Sequence, residues 1–173
     1  QAGDTLIMLE GTYKHDYKIT LPNTQNGRPD AYITVRNDEG AKVTIDFSEQ
    51  LIDSTMRGIQ INANYWYFYG IDVMSAGDNG LYIAGSYNVV EYCSFHENQD
   101  SGLQIGRALS EQISVNEWPH NNLVKNCTSY NNYYYQTYGE NADGFAAKLT
   151  NGEGNIFDGC IAYRNSDDGW DLY

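Results

Sequence analysis

The chain has 173 residues, 41% hydrophobic, 14% aromatic and 19% charged, which suffices for one well-buried domain and not for two. Ten basic residues against 23 acidic ones give a net charge of −13. That balance argues against nucleic acid or an anionic membrane as partner, because both require clustered Lys and Arg. No apolar run approaches the ~20 residues needed to span a bilayer, and 16 Tyr, 3 Trp and 5 Phe supply more apolar surface than a disordered chain carries.

Seventeen Gly, only three Pro and the lack of long Ala/Leu/Glu/Lys stretches indicate a turn-rich all-β protein. The odd number of cysteines, three, implies no disulfide framework. Gln1-Ala2-Gly3-Asp4 opens without a Met or a signal peptide, so targeting says nothing of compartment. Early strand-length runs are Thr5–Leu9, Ala31–Val35 and Val43–Phe47, separated by turn signals such as Asn37-Asp38-Glu39-Gly40.

A repeat then becomes visible. Tyr67–Val73 aligns with Val89–Phe95 at an offset of 22, and the register runs without a gap through Ala76–Ile83 against Asn98–Ile105. Asn122–Cys127 and Asn155–Cys160 repeat Asn88–Cys93. Three columns result: Cys93, Cys127 and Cys160; Asn88, Asn122 and Asn155 before them; Asn98, Asn132 and Asn165 after them. A period near 22 with short strands and Asn at the turns predicts a right-handed parallel β-helix over residues 1–173, each strand pairing with its counterpart one coil on. Offsets of 34 and 33 in the later copies place insertions at about Gly106–His120 and Tyr133–Glu140, expected along one rim that lines a binding face.

Gly102, Gly144 and Gly169 share one position, preceded by Ser101, Asp143 and Asp168. Asp143 and Asp168 should therefore stack on neighbouring coils about 4.8 Å apart, with Asp167 and Asp171 close by. Four carboxylates in one patch call for a hard cation, and Ca²⁺, with its many oxygen ligands, suits them better than Zn²⁺, since no His or Cys accompanies them.

The segments Gly139–Leu149, Gly152–Phe157 and Asn165–Leu172 resemble the family 9 polysaccharide lyases, with a looser likeness from Gly3 through Gly106. The resemblance implies a parallel β-helix in which Asp143, Asp167, Asp168 and Asp171 bind a catalytic calcium. It also implies β-elimination on an acidic plant cell-wall polysaccharide, polygalacturonate or rhamnogalacturonan, by a secreted or periplasmic enzyme expected to be a monomer. The family's catalytic lysine is expected beyond Tyr173, which makes the chain look like part of a longer lyase. Lys148, read as a strand residue, and Arg164 are then candidates for substrate contact, and Lys148 is a weaker candidate for the base. A pectinase-type glycoside hydrolase using the Asp167-Asp168 pair, or a non-catalytic calcium-stabilised carbohydrate-binding β-helix, are the alternatives. The three cysteines read as inward-facing inert thiols, His15, His96 and His120 as off-register, and Asp78 and Asp100 as turn residues aligned with each other. Tyr133-Tyr134-Tyr135 could stack on sugar rings or cover the flank.

Overall fold

The computed structural model describes all 173 residues. The chain winds through six coils of three short strands each. The first holds β1 (Thr5–Met8), β2 (Gly11–Lys14) and β3 (Ile19–Leu21), and the second β4 (Ile33–Asn37), β5 (Val43–Asp46) and β6 (Ile59–Ile61). The third holds β7 (Trp66–Tyr69), β8 (Ile71–Met74) and β9 (Leu81–Ile83), and the fourth β10 (Val89–Glu91), β11 (Ser94–His96) and β12 (Leu103–Ile105). The fifth is β13 (Leu123–Lys125), β14 (Thr128–Tyr130) and β15 (Phe145–Ala147), and the sixth β16 (Ile156–Asp158), β17 (Ile161–Tyr163) and β18 (Trp170–Asp171).

Every strand pairs in parallel with its counterparts in adjacent coils, which stacks the coils into three six-stranded sheets, β1 to β16, β2 to β17 and β3 to β18. The 22-residue register is met residue for residue: Val89 lies opposite Tyr67, Ser94 opposite Asp72 and Leu103 opposite Leu81. Leu123 lies opposite Val89 and Ile156 opposite Leu123, so both insertions loop out without disturbing the ladder.

Inward residues recur at the same strand positions and form continuous columns. Ile59, Leu81, Leu103 and Phe145 stack in the third sheet, and Phe68, Val90 and Val124 in the first, all buried. Burying each of these side chains contributes about 1.5–3 kcal/mol. Cys93 and Cys127 belong to this interior, and Cys160 is partly covered; all three are free thiols. Each thiol donates to a backbone carbonyl, Cys127 to Val90 and Cys160 to Val124. The hydrogen bond with Cys160 pulls the Cys127 thiol down, but Cys93 and burial outweigh it and hold that thiol above the ordinary range, and Cys127 and burial do the same for Cys160, which disfavours the reactive thiolate at both.

Two columns of buried asparagine join coil to coil. The Oδ1 atoms of Asn88, Asn122 and Asn155 accept from the backbone N–H of Trp66, Asn88 and Asn122 at 2.9, 2.9 and 3.1 Å. In the second column Asn98, Asn132 and Asn165 accept likewise from Ala76, Asn98 and Asn132. The residue before each ladder position turns left-handed: Tyr65, Tyr87 and Asn121 before one column, Ser75, Glu97, Asn131 and Arg164 before the other. Twisting the chain into this conformation presents the following amide inward, and Asn121 and Asn131 accept the strain most readily.

The outer face carries its own stacks. His96, Tyr130 and Tyr163 occupy matching positions on the second sheet, with ring centroids 4.7 and 5.0 Å apart and nearly parallel planes. His96 is therefore in register, correcting its reading as off-register; only its chemistry differs from that of its column. Its Nε2 lies 3.0 Å from Asp72 Oδ1. Burial opposes the imidazolium, but the Asp72 and Glu97 carboxylates outweigh it and raise the His96 pKa.

Replacing Asn132 by Ala should cost about 2–4 kcal/mol in denaturant unfolding, because it strands the buried backbone and side-chain N–H groups of Asn98. The control Asn131→Gly, at a left-handed turn, should change stability by no more than about 0.5 kcal/mol. The His96–Asp72 pair stabilises the fold fully below the ordinary imidazole pKa and loses that contribution as pH rises through the raised folded value. The stability difference between the native chain and His96→Gln should therefore be larger at about pH 5 than at about pH 8.

Candidate metal centre

The site grows from the turns between the second and third sheets. The pairing of Leu81, Leu103, Phe145 and Trp170 puts Gly80, Gly102, Gly144 and Gly169 in one column. Close approach requires glycine there: a Cβ on Gly102 would lie 2.0 Å from Ser129 Oγ and 2.8 Å from Asn132 Nδ2, and one on Gly144 would lie 2.7 Å from Asn165 Nδ2. The amide ladder thus imposes the glycine column, and the residues preceding it fall into two rows. Asn79, Ser101, Asp143 and Asp168 form one; Asp78, Asp100, Ala142 and Asp167 form the other.

Asp143 is fully buried. Its Oδ2 accepts from Ser101 Oγ at 2.9 Å and from Lys148 Nζ at 2.9 Å, and its Oδ1 accepts from the Asp168 N–H at 3.3 Å. Asp167 and Asp168 are exposed, and the Asn141 N–H donates to Asp167 Oδ2 at 2.8 Å. Asp143, Asp167 and Asp168 each present a carboxylate oxygen, all within 4.8 Å of one another. An oxygen-only donor set of one buried and two exposed carboxylates fits a hard divalent cation, with no His or Cys to favour a softer one.

Asp171 stands apart from that trio. It faces outward on β18 opposite Ala146, and Lys148, two residues further along, lies diagonally beside it. The Lys148 ammonium donates to Asp171 Oδ2 at 2.7 Å as well as to Asp143 Oδ2. The expected patch of four carboxylates is thus a trio plus Asp171, tied in through Lys148 because the strand geometry points its carboxylate at the ammonium. Lys148 itself sits one residue past β15 rather than within a strand. Burial works against its charge, yet the hydrogen bonds to Asp171 and Asp143 more than offset this and hold it above the ordinary lysine range. Arg164 is exposed at its left-handed turn and forms no ion pair.

The acidic row extends over earlier coils. Asp78 is buried, and its pKa is pushed up to about 7, first by burial and then by Asp100, against the pull of Arg57. Arg57 Nε lies 3.5 Å from Asp78 Oδ2, and its guanidinium carbon stands 3.4 Å over the Tyr82 ring. Sequence reading missed Arg57, which lies outside the aligned repeat and precedes β6 in a turn. Asp78 and Asp100 hold turn positions as read, but the burial of Asp78 beside Arg57 gives it a chemistry that turn duty alone does not, whereas Asp100 accepts from Asn79 Nδ2 at 2.9 Å.

Of the two insertions, only Tyr133–Glu140 borders this corner; the other joins the third sheet to the first, where Gln112 pins it by donating to Ala84 and Glu117 carbonyls. The two do not share a rim because they leave the helix at different corners. The tyrosine loop is held by Ser166 Oγ donating to Gly139 O at 2.7 Å and by Gln136 Nε2 donating to Ile52 O at 3.0 Å. Tyr133 and Tyr135 meet edge to face, and Tyr135 is exposed, while Tyr134 feels the Asp78 and Asp100 carboxylates. No helix is long and apolar enough to cross a membrane.

The chain matches, over residues 1–173, the family model described as "Pel9A-like, right handed beta helix region". It is 45% identical over 171 residues to pectate lyase L of Paenibacillus polymyxa (strain SC2), covering 99% of this chain and 38% of that protein. It is 41% identical over 173 residues to pectate lyase L of Thermoclostridium stercorarium, covering 99% of this chain and 13% of that protein. The solved structure of pectate lyase Pel9A superposes with a TM-score of 0.87 at 34% identity, covering 99% of this chain and 42% of that one. The chain spans well under half the length of these relatives. With its unbroken coil register and a model match along its whole length, the chain belongs to the Pel9A-like right-handed β-helix family.

Proposed function

We propose that the protein carrying this chain is a secreted or periplasmic, calcium-dependent polysaccharide lyase that cleaves polygalacturonate-type polymers by β-elimination. The observation that supports this most is the convergence of Asp143, Asp167 and Asp168 within 4.8 Å on a backbone shared with enzymes named pectate lyases. Asp143, Asp167 and Asp168 would hold the ion, with Asp171 joining them on release from Lys148. Bound calcium would supply Lewis-acid polarisation of the uronate carboxylate, and positive charge where a protein of net charge −13 meets a polyanion.

The chain's own residues do the positioning. Ser101 and Lys148 fix the orientation of the buried Asp143 carboxylate from one side. Asp167 and Asp168 face solvent, from which a polymer strand arrives. Exposed Tyr135 offers a ring edge or face to the sugars, and Arg57, which enters from three coils earlier and lies over Tyr82, offers a guanidinium on the same corner. Proton abstraction from C5 with departure of the C4 oxygen needs a base with a free lone pair. Lys148 donates its protons to two carboxylates, so it is assigned to positioning, and the base is another group.

Asp168→Asn keeps the backbone N–H that holds Asp143 but removes one carboxylate. Calcium affinity should fall at least about tenfold, and formation of unsaturated uronide, followed by its ultraviolet absorbance, should return only at raised calcium. Full turnover by the native protein in chelator would reject the reading. Lys148→Met, measured in chelator, should cost about 3–5 kcal/mol by leaving the buried Asp143 carboxylate without a counter-charge. Combining it with Asp143→Asn should cost less than the sum of the single changes, and calcium should restore part of the loss in Lys148→Met alone.

A further inference from the structure

A concavity lies at the opposite end of the second sheet from the aspartates, at the corner where the first sheet turns into it. Its volume is about 770 Å³, within the range of small-ligand sites. The wall is an elaboration the fold does not need. Coil three passes from β7 to β8 through Gly70 alone, whereas coil two passes from β4 to β5 through the longer loop Asp38–Lys42. That loop is braced: Asn37 Nδ2 donates to Ala41 O at 2.8 Å, and the Asn37 side chain packs so closely on Gly70 that a Cβ there would lie 2.4 Å from its Oδ1.

The lining is unusual for this protein. Ten of 173 residues are Lys or Arg, and two of them, Arg36 and Lys42, meet here without a carboxylate ion-pair partner. Arg36 is oriented by donating to the Asn37 carbonyl at 2.8 Å, and Lys42 is exposed. Two acids also line the space. Asp72 is engaged by His96 at 3.0 Å and by Thr44, while Glu39 is exposed on the loop. Tyr69 and Tyr92 form an edge-to-face pair at 5.5 Å, and Tyr92 is 54% exposed. Free cations, an exposed ring and oriented hydroxyl, amide and carboxylate groups are what an acidic sugar requires: charge for its carboxylate, a ring for its apolar face and acceptors for its hydroxyls.

We propose that this groove is a second, non-catalytic binding site for a short uronic acid stretch, with a uronate carboxylate at Arg36 and Lys42 and a sugar ring on Tyr92. The identity of the polymer rests on the lyase reading; the site itself does not. Being at a different corner from Asp143, Asp167 and Asp168, it holds polymer without touching the reacting bond and without metal.

The test is retention of the whole protein that carries this chain on de-esterified polygalacturonate gel in chelator, compared with fully methyl-esterified gel. The variants are Lys42→Gln and Tyr92→Asn; the latter suits the backbone because Asn126 holds the matching left-handed turn one coil on. Native protein should be retained on the de-esterified gel only. Each variant should bind at least about tenfold more weakly, with an unchanged unfolding midpoint and unchanged turnover of short soluble oligogalacturonates in calcium. Equal retention of both variants, or equal retention of the native protein on the esterified gel, overturns the groove. Absence of unsaturated product from the native protein in calcium overturns the lyase reading instead, so the two fail separately.

Discussion

Coil-on-coil stacking through buried amides is the constraint on which everything else in this molecule rests. A parallel β-helix has no tight hairpins to set its register, and each strand here is only two to five residues long. Strand hydrogen bonds alone would allow a slip. An Asn side chain that accepts from the backbone of the coil before it allows none, because a one-residue shift would leave buried N–H groups unpaired at a cost of about 1–3 kcal/mol each. The ladders also act at a distance from themselves. Their amides crowd the start of the third sheet, admit only glycine at Gly80, Gly102 and Gly144, and so hold the preceding residues in straight rows along one edge.

Those rows concentrate negative charge, and the molecule handles it differently at different depths. Two carboxylates 4.8 Å apart repel by about 1 kcal/mol in bulk water and by about 3–4 kcal/mol at an effective dielectric of about 20. Asp143, wholly buried, has Lys148 and Ser101 against it. Asp78, buried two coils earlier, has Arg57 at 3.5 Å, which does not suffice to keep its pKa in the ordinary carboxylate range. Asp167 and Asp168 stay in solvent, where repulsion is small and where a cation can reach them. Along this edge the carboxylates thus run from a braced interior one to exterior ones whose repulsion solvent screens.

The coil register was legible because identical side chains recur wherever the environment recurs: Cys93, Cys127 and Cys160, the two asparagine columns and the Gly102, Gly144 and Gly169 positions all mark it. Asp143 and Asp168 could be stacked from that register alone. What escaped was whatever depends on side-chain direction or on unrepeated segments. Nearness in sequence groups Asp171 with the other acids, yet the alternation of strand faces turns it toward Lys148, in keeping with its pairing with Ala146. Periodicity does not reveal His96, because its column mates Met74, Tyr130 and Tyr163 share its place but not its chemistry. Arg57 and the 38–42 loop belong to no repeat, so periodicity is blind to them.

This division between repeated and unrepeated residues also explains where function can be placed on such a fold. Positions inside the ladders are bound by two neighbouring coils at once, so changing one requires changing its partners. A corner loop is held by a few side-chain hydrogen bonds rather than by a ladder, as the brace of Asn37 on Ala41 and Gly70 illustrates, and its length can vary without moving a strand. Two corners of the second sheet carry such additions, the tyrosine loop beside the aspartates and the 38–42 loop beside Arg36 and Tyr92. A linear polymer longer than the width of one coil can meet both corners of a rigid prism, and neither corner needs to move for the other to engage it. A solenoid therefore places independent polymer contacts at fixed spacing, with the amide ladders between them serving as the ruler.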